Sequence, residues 1–327
     1  MQDYKKNLSL NQSRLKKILS HPKAFLYDDW DGEKLPKESL IIGNAVDCLI
    51  TEPDTFETRF LIVQGEFSIS NGMYKTFLEN LFLTRLRLDS EVDAITKDEW
   101  YSMSFEKSTT VNTKFKLENF ISDFEGGKGK DFYDYLLETS EKEVLSVEQK
   151  ERSIMIANSL KNSVFTGGYF KYPDIKYQVE IFWTFEEFDI KSKLDMVVID
   201  HEHKTLTPID VKTTEKVNDF KTVVKLRRYD FQAACYTKAL ESWRDVNYPG
   251  YSIGNFLFLV ESSKYPGNPM IFRVSNETLE RGLNGGVWDN VHYDGFTQAI
   301  ERYRFHSDYD LWDYRMEEYR SNGIVDI

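Results

Sequence analysis

The chain has 327 residues, 41% of them hydrophobic and 15% aromatic, enough apolar material for a substantial core built as one elaborated domain or two intimate ones. No run approaches the roughly 18 apolar residues of a membrane span, and the start MQDYKKNLSLNQSRLKK lacks the apolar stretch of a secretory signal, so a cytoplasmic protein without membrane contact is expected. A formal net charge of −12 excludes a surface that is basic everywhere; a nucleic-acid partner would have to meet a local patch, with candidates in NQSRLKKILSHPK, EGGKGKDF and FKTVVKLRRYDF.

No repeat of fixed period and no low-complexity linker interrupts the sequence, which predicts one body over 1–327. A helix over 9–20, opened by Ser9 or Asn11 and stopped before Pro22, carries Leu15, Ile18 and Leu19 on one side. SLIIGNAVDCLI then places Ile42, Ala45, Val46, Leu49 and Ile50 at helical spacing, with Asp47 beside the stripe, and TEPDTF ends that element. Residues 70–125 mix aromatic and charged side chains in a way that fits several helices without clear boundaries. The run DFYDYLLETSEKEVLSVEQKERSIMIANSLKNS reads as two helices joined around Glu143, the second capped by Ser146 and carrying Ile154, Ile156 and Leu160.

Strands follow. YQVEIFWTF alternates Tyr177, Val179, Ile181, Trp183 and Phe185 against Gln178, Glu180 and Thr184, the pattern of a half-buried strand. KLDMVVID and LTPIDVKTT form the next two, with HEHKT as the turn between them. A long helix over about 225–243, the strand pair FLFLVES and MIFRVS, and a helical remainder from about 276 complete the chain. The order predicts an α/β (α+β) sandwich around a mixed sheet: a mainly helical part over 1–165, a sheet-bearing part over 166–275 and a helical part over 276–327.

Side chains alternate faces along a strand, so Asp210 and Lys212 project from one side while Ile209, Val211 and Thr213 face the other. If the hairpin brings Asp195 beside Asp210, two carboxylates converge, which is unfavourable unless a cation neutralises them. Hard oxygen ligands of this kind suit Mg²⁺ or Mn²⁺. A lysine next to such a metal can orient a water nucleophile or offset charge building on a phosphate, the requirements of phosphodiester hydrolysis. D-x-K alone describes an ordinary surface hairpin equally well. In RRYDFQAACYTKAL, however, Gln232 and Tyr236 fall at i and i+4, with Arg228 one turn earlier, which puts three polar donors on one helix face directly after the D-x-K strand.

Asp195, the IDVKTT strand and the QAACY helix together resemble the core signature of PD-(D/E)xK nucleases of the RecB-like kind, with their Q-x-x-x-Y helix. More closely, the chain resembles the exodeoxyribonuclease VIII-like family of phages and prophages, relatives of lambda exonuclease. The matching features run from LSHPKAFLY through GNAVDCLITEPDTF, KEVLSVEQKERSIMIANSL, YQVEIFWTF and KLDMVVID to FLFLVES, roughly residues 9–282.

The resemblance implies a single nuclease domain with a restriction-endonuclease-like core, a mixed central sheet flanked by helices and helical N- and C-terminal elaborations, in a bacterial or phage-infected cell. It implies that Asp195 and Asp210 bind Mg²⁺ or Mn²⁺, that the Val211 carbonyl completes the shell, and that Lys212 acts on the attacking water. Gln232 and Tyr236 would support the site and the nearby DNA backbone, and Glu180 matches a frequent acidic position. Where relatives usually carry a histidine in a G-x-x-x-H helix, this chain has Gly43 and Asp47. Aspartate is also an oxygen ligand, so the change points to a shifted metal preference.

The expected function is a metal-dependent deoxyribonuclease, an exonuclease resecting duplex DNA ends for recombination, with Arg228 and nearby lysines holding DNA. By resemblance, a ring-shaped homo-oligomer and a single-strand annealing protein are its expected partners. A structure-selective or site-specific endonuclease could use the same residues, although no added DNA-reading domain is visible. A non-catalytic DNA-binding module or a phage structural protein would have no need of Asp210 and Lys212. His201 and His203, with no further His or Cys nearby, read as a solvated turn. GGKGKD lacks phosphate-loop spacing and reads as a flexible basic loop, and Cys48 and Cys235 read as reduced packing residues.

Overall fold

A computed structural model describes residues 9–27, 37–63, 72–88, 96–108, 116–139 and 142–324. In chain order, α1 (Gln12–Ile18) is capped by Asn11, whose side chain accepts from the Arg14 amide at 3.0 Å. After α2 (Pro22–Leu26) and α3 (Lys37–Thr51) come α4 (Phe56–Arg59), β1 (Phe60–Val63), α5 (Met73–Leu88), α6 (Lys97–Ser108), α7 (Leu117–Glu125) and α8 (Lys130–Thr139). The two helices expected around Glu143 are joined through a strand, β2 (Glu143–Ser146), which pairs in parallel with β1. Ser146 caps α9 (Val147–Asn162) reciprocally: its hydroxyl accepts from the Gln149 amide at 3.1 Å while the Gln149 side chain accepts from the Ser146 amide at 2.9 Å.

Next come β3 (Ile175–Phe185), β4 (Phe188–Asp200) and β5 (Thr205–Thr214), then α10 (Phe220–Arg227) and α11 (Tyr229–Asn247). The expected single helix over 225–243 is therefore two, because Arg228 takes the left-handed conformation (φ 52°, ψ 49°) and ends one helix as it starts the other. The chain closes with β6 (Ser252–Ile253), β7 (Leu257–Ser262), β8 (Met270–Arg273), α12 (Asn276–Asn284), β9 (Gly286–Trp288), β10 (Val291–Tyr293), α13 (Phe296–Tyr309) and α14 (Met316–Arg320). The β9–β10 hairpin interrupts the expected helical remainder. Its turn residues Asp289 and Asn290 both have positive φ (48° and 62°), the requirement of a two-residue hairpin loop.

Where the sequence predicts one body, the described residues form two compact units, Met1–Pro53 with Glu151–Ile327, and Asp54–Lys150. The inserted unit has a core of its own around Phe77, Leu78, Leu81, Tyr101, Phe120 and Tyr133. Its aromatic residues pack on one another, with the Phe77 and Phe120 rings 5.3 Å apart, so the mixed aromatic and charged spacing over 70–125 is that of short helices sharing a small core. No helix among the described residues is long and apolar enough to cross a membrane.

The larger unit is built on a mixed sheet of order β3-β4-β5-β7-β8, with β6 also pairing to β5. β5 and β7 are parallel and the other main neighbours antiparallel, so the chain crosses over through α10 and α11 between β5 and β7. One face packs Val197, Ile199, Leu206, Phe258 and Val260 against α1, α11 and α13; the other packs Met196, Val198, Ile209, Val211 and Leu259 against α3 and α9. The expected strand alternation holds in β3 from Val179 onward. Tyr177, however, joins the α3 face while Val179 and Ile181 join the α11 face, because Gln178 between them has a φ of 49° and reverses the phase.

Candidate active site

The β4–β5 ladder ends at the pair Met196–Ile209, and one step further along the same register Asp195 faces Asp210. Here a side chain replaces the backbone: Asp195 Oδ2 accepts the Val211 N–H at 3.0 Å. The N–H and C=O of a strand residue leave by the same edge, so the Val211 carbonyl faces the fork as well. Asp210 and Lys212 share the face toward α11, where Gln232 Nε2 donates to Asp210 Oδ1 at 3.1 Å. The Lys212 ammonium forms an ion pair with Asp210 Oδ2 and lies 5.1 Å from the centre of the Tyr229 ring. Asp210 is 1% exposed, and its two oxygens are held by different partners, Oδ1 by Gln232 and Oδ2 by the Lys212 ammonium.

Burial, and then the charge of Asp195, push the Asp210 carboxyl up to about 7 against the pull of Lys212. Burial raises Asp195 as well, opposed by Lys212 and by the Val211 N–H. Burial pulls Lys212 down, but Asp210 and Asp195 outweigh it and its pKa rises, so the ammonium form persists at neutral pH. Burial, then both acids, hold the Tyr236 phenol protonated well above the ordinary range. The fork therefore has more acid than base, and a divalent cation is what its donors fit. The donors are all hard oxygens on two buried carboxylates, and Mg²⁺ is usually held by one or two carboxylates plus waters. Among the described residues no three His, Cys, Asp or Glu side chains stand at metal-binding spacing, Asp47, Asp195 and Asp210 included.

Asp47 lines a cavity of about 470 Å³ together with Asp195, Lys212 and Tyr229. Its charge contributes to the rise at Asp210, while its two oxygens accept from Gln178 Nε2 at 3.2 Å each. A Cβ at Gly43 would lie 3.6 Å from Thr213 Oγ1, an ordinary contact, so α3 rests directly on β5 at this point. Gln232 and Tyr236 are both buried on the first turns of α11.

Two expected residues lie elsewhere. Glu180 is exposed, 3.9 Å from Lys193, and is not among the groups acting on Asp210. Arg228 does not extend the Gln232–Tyr236 face, because it precedes the helix. Its guanidinium grips the buried Asp230 at 3.0 and 3.3 Å and the Asp294 carbonyl at 2.7 Å.

Sequence reasoning passed over Lys16, Tyr229 and Gln178. Lys16 donates to the Arg227 carbonyl at 2.9 Å, and burial, with Lys212 and Arg228 nearby, lowers it to about 8. Its signal was the basic run in α1, which gave no hint of proximity to Lys212. The turn histidines are exposed and bound locally, His201 to Tyr251 and Asp174, His203 to Asp200. In the GGKGKD turn Lys128 pairs with Asp123. Cys48 and Cys235 are buried thiols, as the sequence suggests. A larger cavity of about 750 Å³ is lined by Lys221, Arg273, Arg281, Trp288 and Asp289.

No protein-family model matches the chain, and no curated protein matches it significantly. Among solved structures it is similar to a candidate exonuclease from Eubacterium rectale, at 12% identity over 80% of this chain and 96% of that one, with a TM-score of 0.38. It is also similar to the protein SSO0001, at 11% identity over 76% and 83% with a TM-score of 0.22. A third likeness is to VC1899 of Vibrio cholerae, at 12% identity over 71% of this chain and 49% of that one, with a TM-score of 0.17.

Proposed function

We propose that the protein is a metal-dependent deoxyribonuclease that hydrolyses phosphodiester bonds from the ends of duplex DNA. One observation carries the reading: Asp210, buried at the β4–β5 fork opposite Asp195, is ion-paired through Oδ2 with the Lys212 ammonium. Asp195, Asp210 and the Val211 carbonyl would hold Mg²⁺ or Mn²⁺, with Asp47 of α3 on the wall of the cavity that Asp195 and Val211 also line. A divalent cation bound there supplies charge to the scissile phosphate and lowers the pKa of water in the site.

The chain's own residues do the rest. Lys212 stays protonated beside the two acids, so it acts by donating a hydrogen bond to the nucleophile and offsetting charge on the phosphate, not by accepting a proton. Gln232 holds Asp210 by Oδ1 while Lys212 pairs with Oδ2, so the carboxylate is fixed from both ends. Tyr236 keeps its phenolic hydrogen, held by burial and by the charges of Asp210 and Asp195.

A chain of net charge −12 repels duplex DNA at long range, so productive binding calls for a confined path where local cations such as Lys16, Lys212 and Arg227 prevail. A ring-shaped homo-oligomer, the arrangement implied by the family resemblance, would provide such a path and would admit a terminus but not a closed circle. The same resemblance makes a single-strand annealing protein the partner that would use the product. Incubation of linear and covalently closed duplex with Mg²⁺, Mn²⁺ or EDTA tests the proposal. Linear DNA should be degraded progressively with either metal while the closed form survives; rapid nicking of the closed form would make the protein an endonuclease, and no cleavage with either metal would end the nuclease reading.

A further inference from the structure

We propose that Gln178 is the positioning residue of this centre: its carboxamide holds the Asp47 carboxylate by both oxygens and presents it to the Asp195–Asp210 fork. The inference rests on the metal-site reading above.

Gln178 sits inside the 11-residue strand β3 with a φ of 49°, a conformation strained for any residue with a Cβ and one that few glutamines adopt. The ladder pairs Tyr177 with Met196 and Val179 with Leu194, so the strained residue stands directly across from Asp195. An extended residue here would keep Tyr177 and Val179 on one face. The left-handed turn sends them to opposite faces and directs the Gln178 side chain at α3.

The hydrogen bonds fix which end of the amide faces Asp47. Thr51 donates its hydroxyl hydrogen to the Asp47 carbonyl at 2.8 Å, which leaves only lone pairs facing Gln178. Gln178 Nε2 donates to that hydroxyl oxygen at 2.8 Å and to both Asp47 oxygens at 3.2 Å. Both neighbours are acceptors, so the NH₂ group has to point inward, and each of its hydrogens is used. Being neutral, the amide orients the Asp47 carboxylate without adding a further charge. It does for Asp47 what hydrogen-bonded partners commonly do for ligating carboxylates.

The test is titration of Mn²⁺ into metal-free protein, followed by calorimetry and by the Mn²⁺ spin-resonance signal, for wild type, Gln178→Met, Gln178→Gly, Asp47→Asn and Asp210→Asn. Gln178→Met keeps the length and removes the donor; Gln178→Gly also relieves the backbone. Both should raise the Mn²⁺ Kd about 10- to 100-fold, the usual range for loss of such a partner. Gln178→Gly should melt no lower than wild type without metal, because it removes strain. Adding Gln178→Met to Asp47→Asn should leave the Kd of the single variant unchanged. Wild-type Mn²⁺ affinity in both Gln178 variants overturns the proposal, as does a fall in melting temperature for Gln178→Gly that accompanies its loss of binding. Failure of wild type to bind Mn²⁺, or unchanged binding in Asp210→Asn, instead brings down the metal-site reading on which the proposal stands.

Discussion

Gln232 Nε2 donates to Asp210 Oδ1 at 3.1 Å from the first turn of α11, so the buried carboxylate is held between this amide and the Lys212 ammonium on Oδ2. A hydrogen bond to a carboxylate favours its charged form. Replacing Gln232 with leucine strands a buried acceptor, at a cost of about 1–3 kcal/mol. The Gln232→Leu variant should melt lower and should need a higher pH than wild type to bind Mn²⁺, because Asp210 will hold its proton longer. An unchanged pH profile of Mn²⁺ binding would show that the bond has no part in tuning Asp210.

In the proposed function Lys212 is the charge that acts on the transition state. Lys212→Ala should lower kcat by on the order of a hundredfold or more, the usual scale for such a group. DNA affinity, measured by anisotropy with Ca²⁺ in place of Mg²⁺, should change far less. A loss confined to DNA affinity would assign Lys212 to binding rather than to chemistry.

The electrostatics of the fork make stability depend on pH. Asp210 ionises near 4 in the unfolded chain and is pushed up to about 7 in the metal-free fold. Between those values the folded chain keeps a proton that the unfolded chain has released, so stability falls as pH rises through this window and the loss is complete above it. The raised pKa of Lys212 means that its contribution is intact below the ordinary lysine range and does not oppose this trend. In EDTA, Asp210→Asn should therefore gain melting temperature relative to wild type between pH 5 and pH 8, and metal binding by wild type below about pH 7 should release a proton. Parallel melting curves for the two proteins across that range would contradict the placement of the charge.

Phosphate contacts displace counterions, so cleavage of linear duplex at subsaturating protein should fall with added salt, linearly on logarithmic axes. Lys16→Ala, which removes a cation beside Lys212, should make that slope shallower. A salt-independent rate would place DNA recognition outside the basic lining of the cavity.

Much of the fold was legible because strands and helices write their periods into the chain: the side-sharing of Asp210 and Lys212 follows from a period of two, and the Ser146 cap from its spacing to Gln149. What was not legible lies where one residue leaves the allowed majority. Nothing in the composition around Gln178 or Arg228 announces a positive φ, yet the first reverses the phase of β3 and the second divides a helix and turns its own side chain away from the site. The short Asp289–Asn290 turn was hidden because its flanking strands have three residues each. Residues 54–150 gave no domain boundary, since their core is made of aromatic contacts between helices distant in sequence. At the fork the sequence offered Asp195 and Asp210 only on condition of a register. The ladder ending at Met196–Ile209 meets that condition, whereas the partnership of Asp47 with Gln178 spans 131 residues and left no local trace.

The most direct test of the central claim compares purified wild type with Asp210→Asn on end-labelled linear duplex DNA, with Mg²⁺ or with EDTA, while an uncleavable Ca²⁺ condition monitors DNA binding. Wild type should shorten the duplex only with Mg²⁺, and Asp210→Asn should bind DNA but leave it intact. Cleavage by Asp210→Asn at the wild-type rate, or cleavage by wild type in EDTA, would contradict a metal-dependent site built on the Asp195–Asp210 fork.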